Sequence, residues 1–219
     1  MTELPIMVVG TGSAGRRAAA ALHFSSSYEL VYVSPDIDEK QIRHVDPFIL
    51  TSAIAHAKMA ELRAKVAQDT ELQDRIARRQ GSVAVTFDQV VYFHGEIREK
   101  PESVEEATAF IRSYSNNELD TVMTTVLHDF DTHVEASMPN TTRTFYREIP
   151  EEAIARVVQR ASCLHNAGGF SVSDVDMKSS EIKIEPGTEE DVRGFCAASV
   201  RLLMAKVRGP QSDDSRLAS

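Results

Sequence analysis

The sequence predicts an α/β fold with a substantial antiparallel component. Three observations carry this. A glycine-rich turn joins the first apolar strand to an alanine-rich helix. Amphipathic, helix-period segments recur along the chain, while residues 119–149 offer successive strand-like runs with no helix between them. Strict β-α-β-α alternation is therefore not expected.

Ile6-Met7-Val8-Val9 reads as a buried strand and Ala14 to His23 as the first helix. Tyr28 to Val33 is a second strand, ended by Ser34-Pro35 and followed by the acidic loop Asp36-Ile37-Asp38-Glu39. Pro47 opens a long helix with Ile49, Ala53, Ala57, Ala60 and Ala64 as its inner stripe and Lys58 on the stripe's edge. The charged stretch 69–80 reads as an exposed helix end. Val83 to Phe87 is a strand that delivers Asp88 and Gln89; a short apolar strand and a turn then bring back Lys100, held by Pro101. Glu102 to Tyr114 is an amphipathic helix on Val104, Ala107, Phe110 and Ile111. Leu119–Leu127, Thr132–Met138 and Thr142–Ile149 read as three strands, and Pro150 starts a helix running to about Ala161. Gly168-Gly169 precede a strand at Phe170–Ser173, and Glu181–Ile184 is one more. A last helix from Glu189 to Val207 turns Val192, Phe195, Cys196, Ser199, Leu202 and Leu203 inward. The polar tail from 209 to 219 is expected to be disordered, leaving 1–208 as one domain of two lobes.

At 219 residues the chain can bury a sizeable core, and 42% hydrophobic with 26% charged residues is ordinary for a globular protein. No apolar run is long enough to span a bilayer, and Met1-Thr2-Glu3-Leu4-Pro5 lacks the basic region of an export signal. With only Cys163 and Cys196 and no CxxC, a cytoplasmic location is expected. The net charge of −9 argues against nucleic-acid or membrane-surface binding. An anionic small substrate stays open, because a few fixed cations and a metal invert the field inside one cleft.

Two signals compete for the site. An acid at a strand end, Asp88, facing Lys100 one hairpin away, suits an anionic substrate handled with a metal ion. Gly10-Thr11-Gly12-Ser13-Ala14-Gly15 spells a dinucleotide fingerprint, with Asp36 near the place of a ribose-binding acid. Against that reading, Arg16 and Arg17 follow at once, and the chain enters a hairpin after the Lys58 helix, so the third βαβ step is expected to be missing. The same loop, read through Ser13 and Arg16, is a phosphate cradle of backbone amides, a hydroxyl and a guanidinium. Taken alone, Lys58 reads as a solvated helix lysine, Asp36 and Asp38 as loop caps, the two cysteines as buried fillers, and His128 to His133 as a hairpin turn.

Gly10 to Arg16 resembles the A-S-x-S-P-x-R motif of the Maf family of nucleotide pyrophosphatases. Asp38-Glu39 resembles its "DE" loop, Ala57-Lys58 its lysine helix, Asp88-Gln89-Val90-Val91 its D-[TQ]-V-V motif, and Glu96 to Pro101 its G-K-P turn. Ser113-Tyr114-Ser115 with Val122 and Thr124 is similar to L-S-G…V-x-T, Ala167-Gly168-Gly169-Phe170 to A-G-x-Y, and Gly187 with Val192 to Phe195 to the final G…N-V-x-G-L-P. The motifs are collinear from about residue 6 to 207, and the chain is most like the divergent kinetoplastid-type septum formation Maf homologues. Ala14 replaces the usual proline, Glu99 the glycine before Lys-Pro, and Asp191 to Cys196 an eroded terminal motif.

The resemblance implies a Maf/ITPase-like fold: an elongated, curved mixed sheet with flanking helices and two lobes around a nucleotide cleft. It implies hydrolysis of a nucleoside triphosphate between its α and β phosphates, a house-cleaning role on modified or non-standard nucleotides. Arg16, Lys58 and Lys100 would hold the phosphates, with Ser13 hydrogen-bonding to them. Glu39 and Asp88 would hold Mg²⁺ or Mn²⁺, and Asp88 would act as general base, with Glu39 and Lys100 completing the catalytic set. Gln89 resembles the branch that prefers 7-methyl-GTP. A homodimer is the family expectation. An NAD(P)-dependent oxidoreductase, and a weakly catalytic nucleotide-binding regulator of cell division, are the alternatives.

Overall fold

The computed structural model describes residues 3–160 and 162–209; the expected tail from 210 onward and Ala161 lie outside the described residues. Among them, β1 (Ile6–Gly10), β2 (Glu29–Val33), β3 (Val83–Phe93), β4 (Glu96–Arg98), β5 (Glu118–Asp129), β6 (Glu135–Tyr146) and β7 (Glu181–Ile184) form one mixed sheet. Its order is β2-β1-β3-β5-β6-β7, with β4 paired to β3 off that path. The helices are α1 (Ala14–Phe24), α2 (Pro47–Gln68), α3 (Thr70–Ala77), α4 (Val104–Ser113), α5 (Glu151–Gln159), α6 (Val175–Ser180), α7 (Glu189–Val192) and α8 (Ala197–Arg208). The α/β class and its antiparallel component are as the sequence predicts.

One expectation about the amino-terminal half is overturned. β1 pairs in parallel with both β2 and β3, so β1-α1-β2-α2-α3-β3 is a complete doubly wound unit of order 2-1-3. The third βαβ step is present. It was hidden because β3 is 11 residues long: its first half completes the parallel layer and its second half enters the hairpin with β4. The order is not the 3-2-1 start of a dinucleotide-binding sheet but the arrangement in which the chain reverses beside β1.

Side-chain alternation separates two cores. On one face Met7, Val9, Val85 and Phe87 pack with Ala20 and Phe24 of α1 and Val200 and Leu203 of α8. On the other, Ile6, Val8, Ala84 and Val126 meet Ala55, Met59, Leu62 and Val66 of α2, and Val90 and Val122 meet Leu50 and Ile54. A further cluster joins Val91, Leu119 and Tyr146 to α4 and α5.

α2 starts where expected, with Asp46 accepting hydrogen bonds from the Phe48 and Ile49 amides at 2.8 and 3.1 Å. Its inner stripe is not the alanine row. Ile49, Ala53, Ala60 and Ala64 are exposed, whereas Leu50, Ile54, Ala55, Lys58, Met59 and Leu62 face the sheet. Burying Leu, Ile and Met removes more apolar surface from water than burying alanine, which decides the rotation. Lys58 thereby sits on the buried face.

Other boundaries differ for identifiable reasons. The runs 132–138 and 142–149 merge into β6 through Pro139. At that point β6 has β5 on one side only, since β7 begins pairing at Thr144, and an edge tolerates the missing N–H. Phe170–Ser173 forms no strand, and α5 ends at Gln159. Val104 and Leu202, expected inward, are exposed. The last helix is broken at Gly194, whose φ of +87° favours glycine. The break places Phe195 against Phe87 and Phe24, at 5.1 and 6.2 Å between ring centroids. Among the described residues no helix is long and apolar enough to cross a membrane.

His128 to His133 forms the β5–β6 turn, with Asp129 Oδ1 accepting from the Asp131 and Thr132 amides. His128 itself is buried at the end of β5, its Nδ1 unpartnered, and burial lowers its pKa. A depressed histidine contributes stability above its unfolded value of about 6.5 and loses it as pH falls. The drop in melting temperature between pH 7.5 and 5 is therefore expected to be smaller in His128→Leu than in the wild type; equal drops would show that this group does not titrate on unfolding.

Candidate active site

β3 has β5 along one edge, but its other edge is only partly covered. β1 pairs with it as far as Gly10 opposite Thr86, and β4 covers it only from Val91, opposite Arg98, to Phe93. The stretch Phe87 to Val90 between them is a notch. It lies at the carboxyl end of β1, where α1 leaves on one face and α2 crosses on the other, the position at which open α/β sheets bind ligands. A cavity of about 520 Å³ fills it.

The local sequence explains how each group arrives. A Cβ on Gly10 would stand 2.6 Å from Thr86 Cγ2 and 2.9 Å from Leu62 Cδ2, so only glycine lets β1, β3 and α2 close beneath the notch. The chain then turns with Thr11 Oγ1 accepting from the Ser13 amide at 3.0 Å. Ser13 caps α1, accepting from the Arg16 amide at 3.4 Å. Asp38 caps a short 3₁₀ turn, Glu39–Gln41, and aims Glu39 at the cavity. His94 and Gly95, with φ of +47° and +91°, make the tight β3–β4 turn that returns the chain to Lys100.

Ser13, Arg16, Glu39 and Lys58 line the cavity together with Asp88, Gln89 and Lys100. Adjacent residues of one strand reach it from opposite faces because the edge between them is bare. Asp88 points to the α2 face: Lys58 Nζ donates to Asp88 Oδ1 at 2.8 Å and lies 2.9 Å from Glu39 Oε1. Asp88 is 4% exposed, and its Oδ2 has no hydrogen-bond partner. Burial pushes the Asp88 carboxyl up, with the charges of Lys58 and Arg16 pulling the other way. Lys100 is exposed on the rim and forms no ion pair among the described residues.

Gln89 and Arg16 belong to the opposite face. Gln89 Nε2 donates to the carbonyls of Val192 at 2.8 Å and Asp191 at 3.4 Å. Arg16 Nε donates to the Gly194 carbonyl at 2.8 Å, its guanidinium 5.7 Å from the centre of the Phe87 ring. Burial lowers the Arg16 pKa, with Asp88 and then Glu39 opposing the shift. Both side chains thus hold the α7–α8 turn as well as facing the cavity.

That turn brings in Arg193, which sequence reasoning missed although it lies inside the recognised Asp191 to Cys196 stretch; His165 and Asn166 also line the cavity. The signal available was a cation placed directly before the helix-breaking glycine. Asp36, the candidate ribose acid, is not on the cavity wall. Cys163 and Cys196 are buried and free. Among the described residues no three His, Cys, Asp or Glu side chains are grouped to hold a metal. The carboxylates of Glu39 and Asp88, with one buried oxygen unpartnered, fit an ion that takes its other ligands from phosphate and water.

A family model described as Maf-like protein matches residues 7–207. The chain is 28% identical over 208 residues to a protein of Dictyostelium discoideum named 7-methyl-GTP pyrophosphatase, covering 94% of this chain and 99% of that one. It is 30% identical over 164 residues to the dTTP/UTP pyrophosphatase of Chlamydia trachomatis serovar D, covering 74% and 76%. Over 169 residues it is 30% identical to the nucleoside triphosphate pyrophosphatase of Chlamydia muridarum, covering 77% and 78%.

Proposed function

The chain belongs to the Maf family, and on that premise we propose that it hydrolyses nucleoside triphosphates between the α and β phosphates, releasing a monophosphate and pyrophosphate. One observation carries the reading: at an open notch in the sheet, a buried lysine is shared by two carboxylates, one of which keeps an unpartnered oxygen. A buried carboxylate without a full set of partners is costly unless something arrives to complete it.

In this reading Arg16, Lys58 and Lys100 bind the triphosphate, the guanidinium across two oxygens and the ammonium groups as point charges. Ser13 donates its hydroxyl to phosphate. Glu39 and Asp88 would hold a divalent cation, Mg²⁺ or Mn²⁺, which supplies charge neutralisation at the phosphate oxygens when bound. Asp88 takes the proton of the attacking water. The water oxygen bonds to the α-phosphorus, the bond from that phosphorus to the bridging oxygen breaks, and its electron pair leaves with pyrophosphate. Burial raises the affinity of Asp88 for a proton, which strengthens it as a base. Selectivity of the 7-methyl-GTP type is supported by Gln89 and by the name of the Dictyostelium relative. With Nε2 taken by the α7 carbonyls, Gln89 offers a base only its acceptor, Oε1.

A panel of nucleotides tests the assignment. Nucleoside triphosphate with Mg²⁺ is expected to release pyrophosphate and to raise the melting temperature, since a ligand bound only to the folded state stabilises it by mass action. NAD and NADP at the same concentrations are expected to do neither, and Arg16→Ala to abolish the triphosphate shift. A metal-independent shift with NAD and none with any triphosphate would overturn the assignment in favour of dinucleotide binding.

A further inference from the structure

The proposed reaction leaves one cation of the cleft without a task. Arg193 lines both the 520 Å³ cavity and an adjoining one of about 270 Å³, whereas Arg16, Lys58 and Lys100 line only the first. In the second cavity Val91, Phe170, Val172 and Val192 share the walls with polar side chains such as Gln89 and Thr121, a mixture suited to the nucleoside end of a substrate rather than its phosphates. Arg193 stands at the junction.

Its backbone is fixed on both sides by residues of the cleft. The preceding carbonyl, Val192, accepts from Gln89, and the following one, Gly194, accepts from Arg16, each at 2.8 Å. A Cβ on Gly194 would come within 2.5 Å of Gln89 Oε1 and 2.8 Å of Arg16 Nε, so the turn is packed directly on those two side chains. The Arg193 side chain is tethered far less firmly. It is 46% exposed, and its ion pair is with Glu189, one turn back at 2.5 Å. Glu189 is shared with Lys178 at 3.0 Å, so it keeps a cation if Arg193 leaves. Exposed i,i+4 pairs are among the weakest ionic interactions in proteins. A phosphate that accepts both arms of the guanidinium fork is a stronger partner.

We propose that Arg193 is a further substrate-binding residue that grips the α-phosphate, the group lying between the phosphate cavity and the nucleoside cavity. Gln89 and Arg16 are then also positioning residues, because they fix the backbone that displays it. This rests on the pyrophosphatase reading, since only a nucleotide puts a phosphate at that junction. The grip on the α-phosphate persists into the monophosphate product and is absent for pyrophosphate.

Calorimetry with Mg²⁺ separates these products. Arg193→Ala is expected to weaken nucleoside monophosphate binding by about 10- to 100-fold, the range for loss of a charged hydrogen bond, and to leave pyrophosphate binding within about twofold. Arg193→Lys should recover part of the loss, and Glu189→Gln, which releases the arginine, should not weaken the monophosphate. Equal losses for both ligands would mean that Arg193 shapes the cleft, and no loss for either would mean that it stays with Glu189; both results overturn the proposal. If the wild type turns over triphosphates while the alanine variant binds monophosphate normally, the proposal alone fails. A wild type that turns over none of them fails the reaction assignment itself.

Discussion

Asp88→Asn is expected to lower kcat at least ~10²-fold, the lower range for removal of a general base. The carboxamide keeps the shape of the side chain and a carbonyl oxygen to accept from Lys58 Nζ, now 2.8 Å from Oδ1. In the proposed mechanism it removes the proton acceptor and one of the two carboxylates that would face the metal. The circular dichroism spectrum should be unchanged, because the strand around residue 88 is held by its ladder with β5 rather than by this side chain. Turnover close to normal in a folded variant would remove Asp88 from the mechanism.

Lys58→Met is expected to have the largest effect on stability. It leaves Asp88 buried with its nearest cation gone, and breaking a buried pair by deleting one partner costs about 3–5 kcal/mol. The pH dependence gives the sign. The folded-state pKa of Asp88 is already raised by burial, and the deletion raises it further. A carboxyl raised on folding favours the folded state below its unfolded value, near 3.9, and that contribution is lost as pH rises through the folded value. The variant's deficit should therefore be greatest at neutral and higher pH and shrink on acidification. Combining it with Asp88→Asn should restore much of the loss. Denaturant melts at several pH values read this directly; a deficit independent of pH would show that Lys58 acts through packing alone.

The residues of the candidate site were more legible in the sequence than the sheet was. Asp88, Lys58, Glu39, Arg16 and Lys100 carry charge at motif positions and line one cavity, and charge gathered in this way leaves a pattern that survives without knowledge of the fold. The parallel pairing of β1 with β3 left no such pattern, because a strand that changes neighbours halfway along its length reads as two shorter ones. The alanine row of α2 misled for a related reason: helical spacing identifies a face but not which of two apolar faces wins burial. Lys58, on composition a surface lysine, is buried because two carboxylates wait at its tip. Arg193 gave only the weak signal of a lone cation before a glycine in an eroded motif; its position follows from hydrogen bonds to Val192 and Gly194 that span more than 100 residues of chain.

The bare edge of β3 between Gly10 and Arg98 makes the site a device of register as much as of composition. Asp88 and Gln89 are neighbours in the chain, yet they serve helices on opposite faces of the sheet. Deleting or inserting one residue upstream in β3 would turn each of them to the other face. After a deletion Lys58 would face an amide; after an insertion a carboxylate would be driven among the carbonyls of Asp191 and Val192 that now accept from Gln89. Point substitutions along β3 can therefore be absorbed in degree, while a change of its length cannot. Lineages of this fold should accumulate their insertions and deletions in the loops on either side of the strand and keep the count from Val83 to Asp88 fixed.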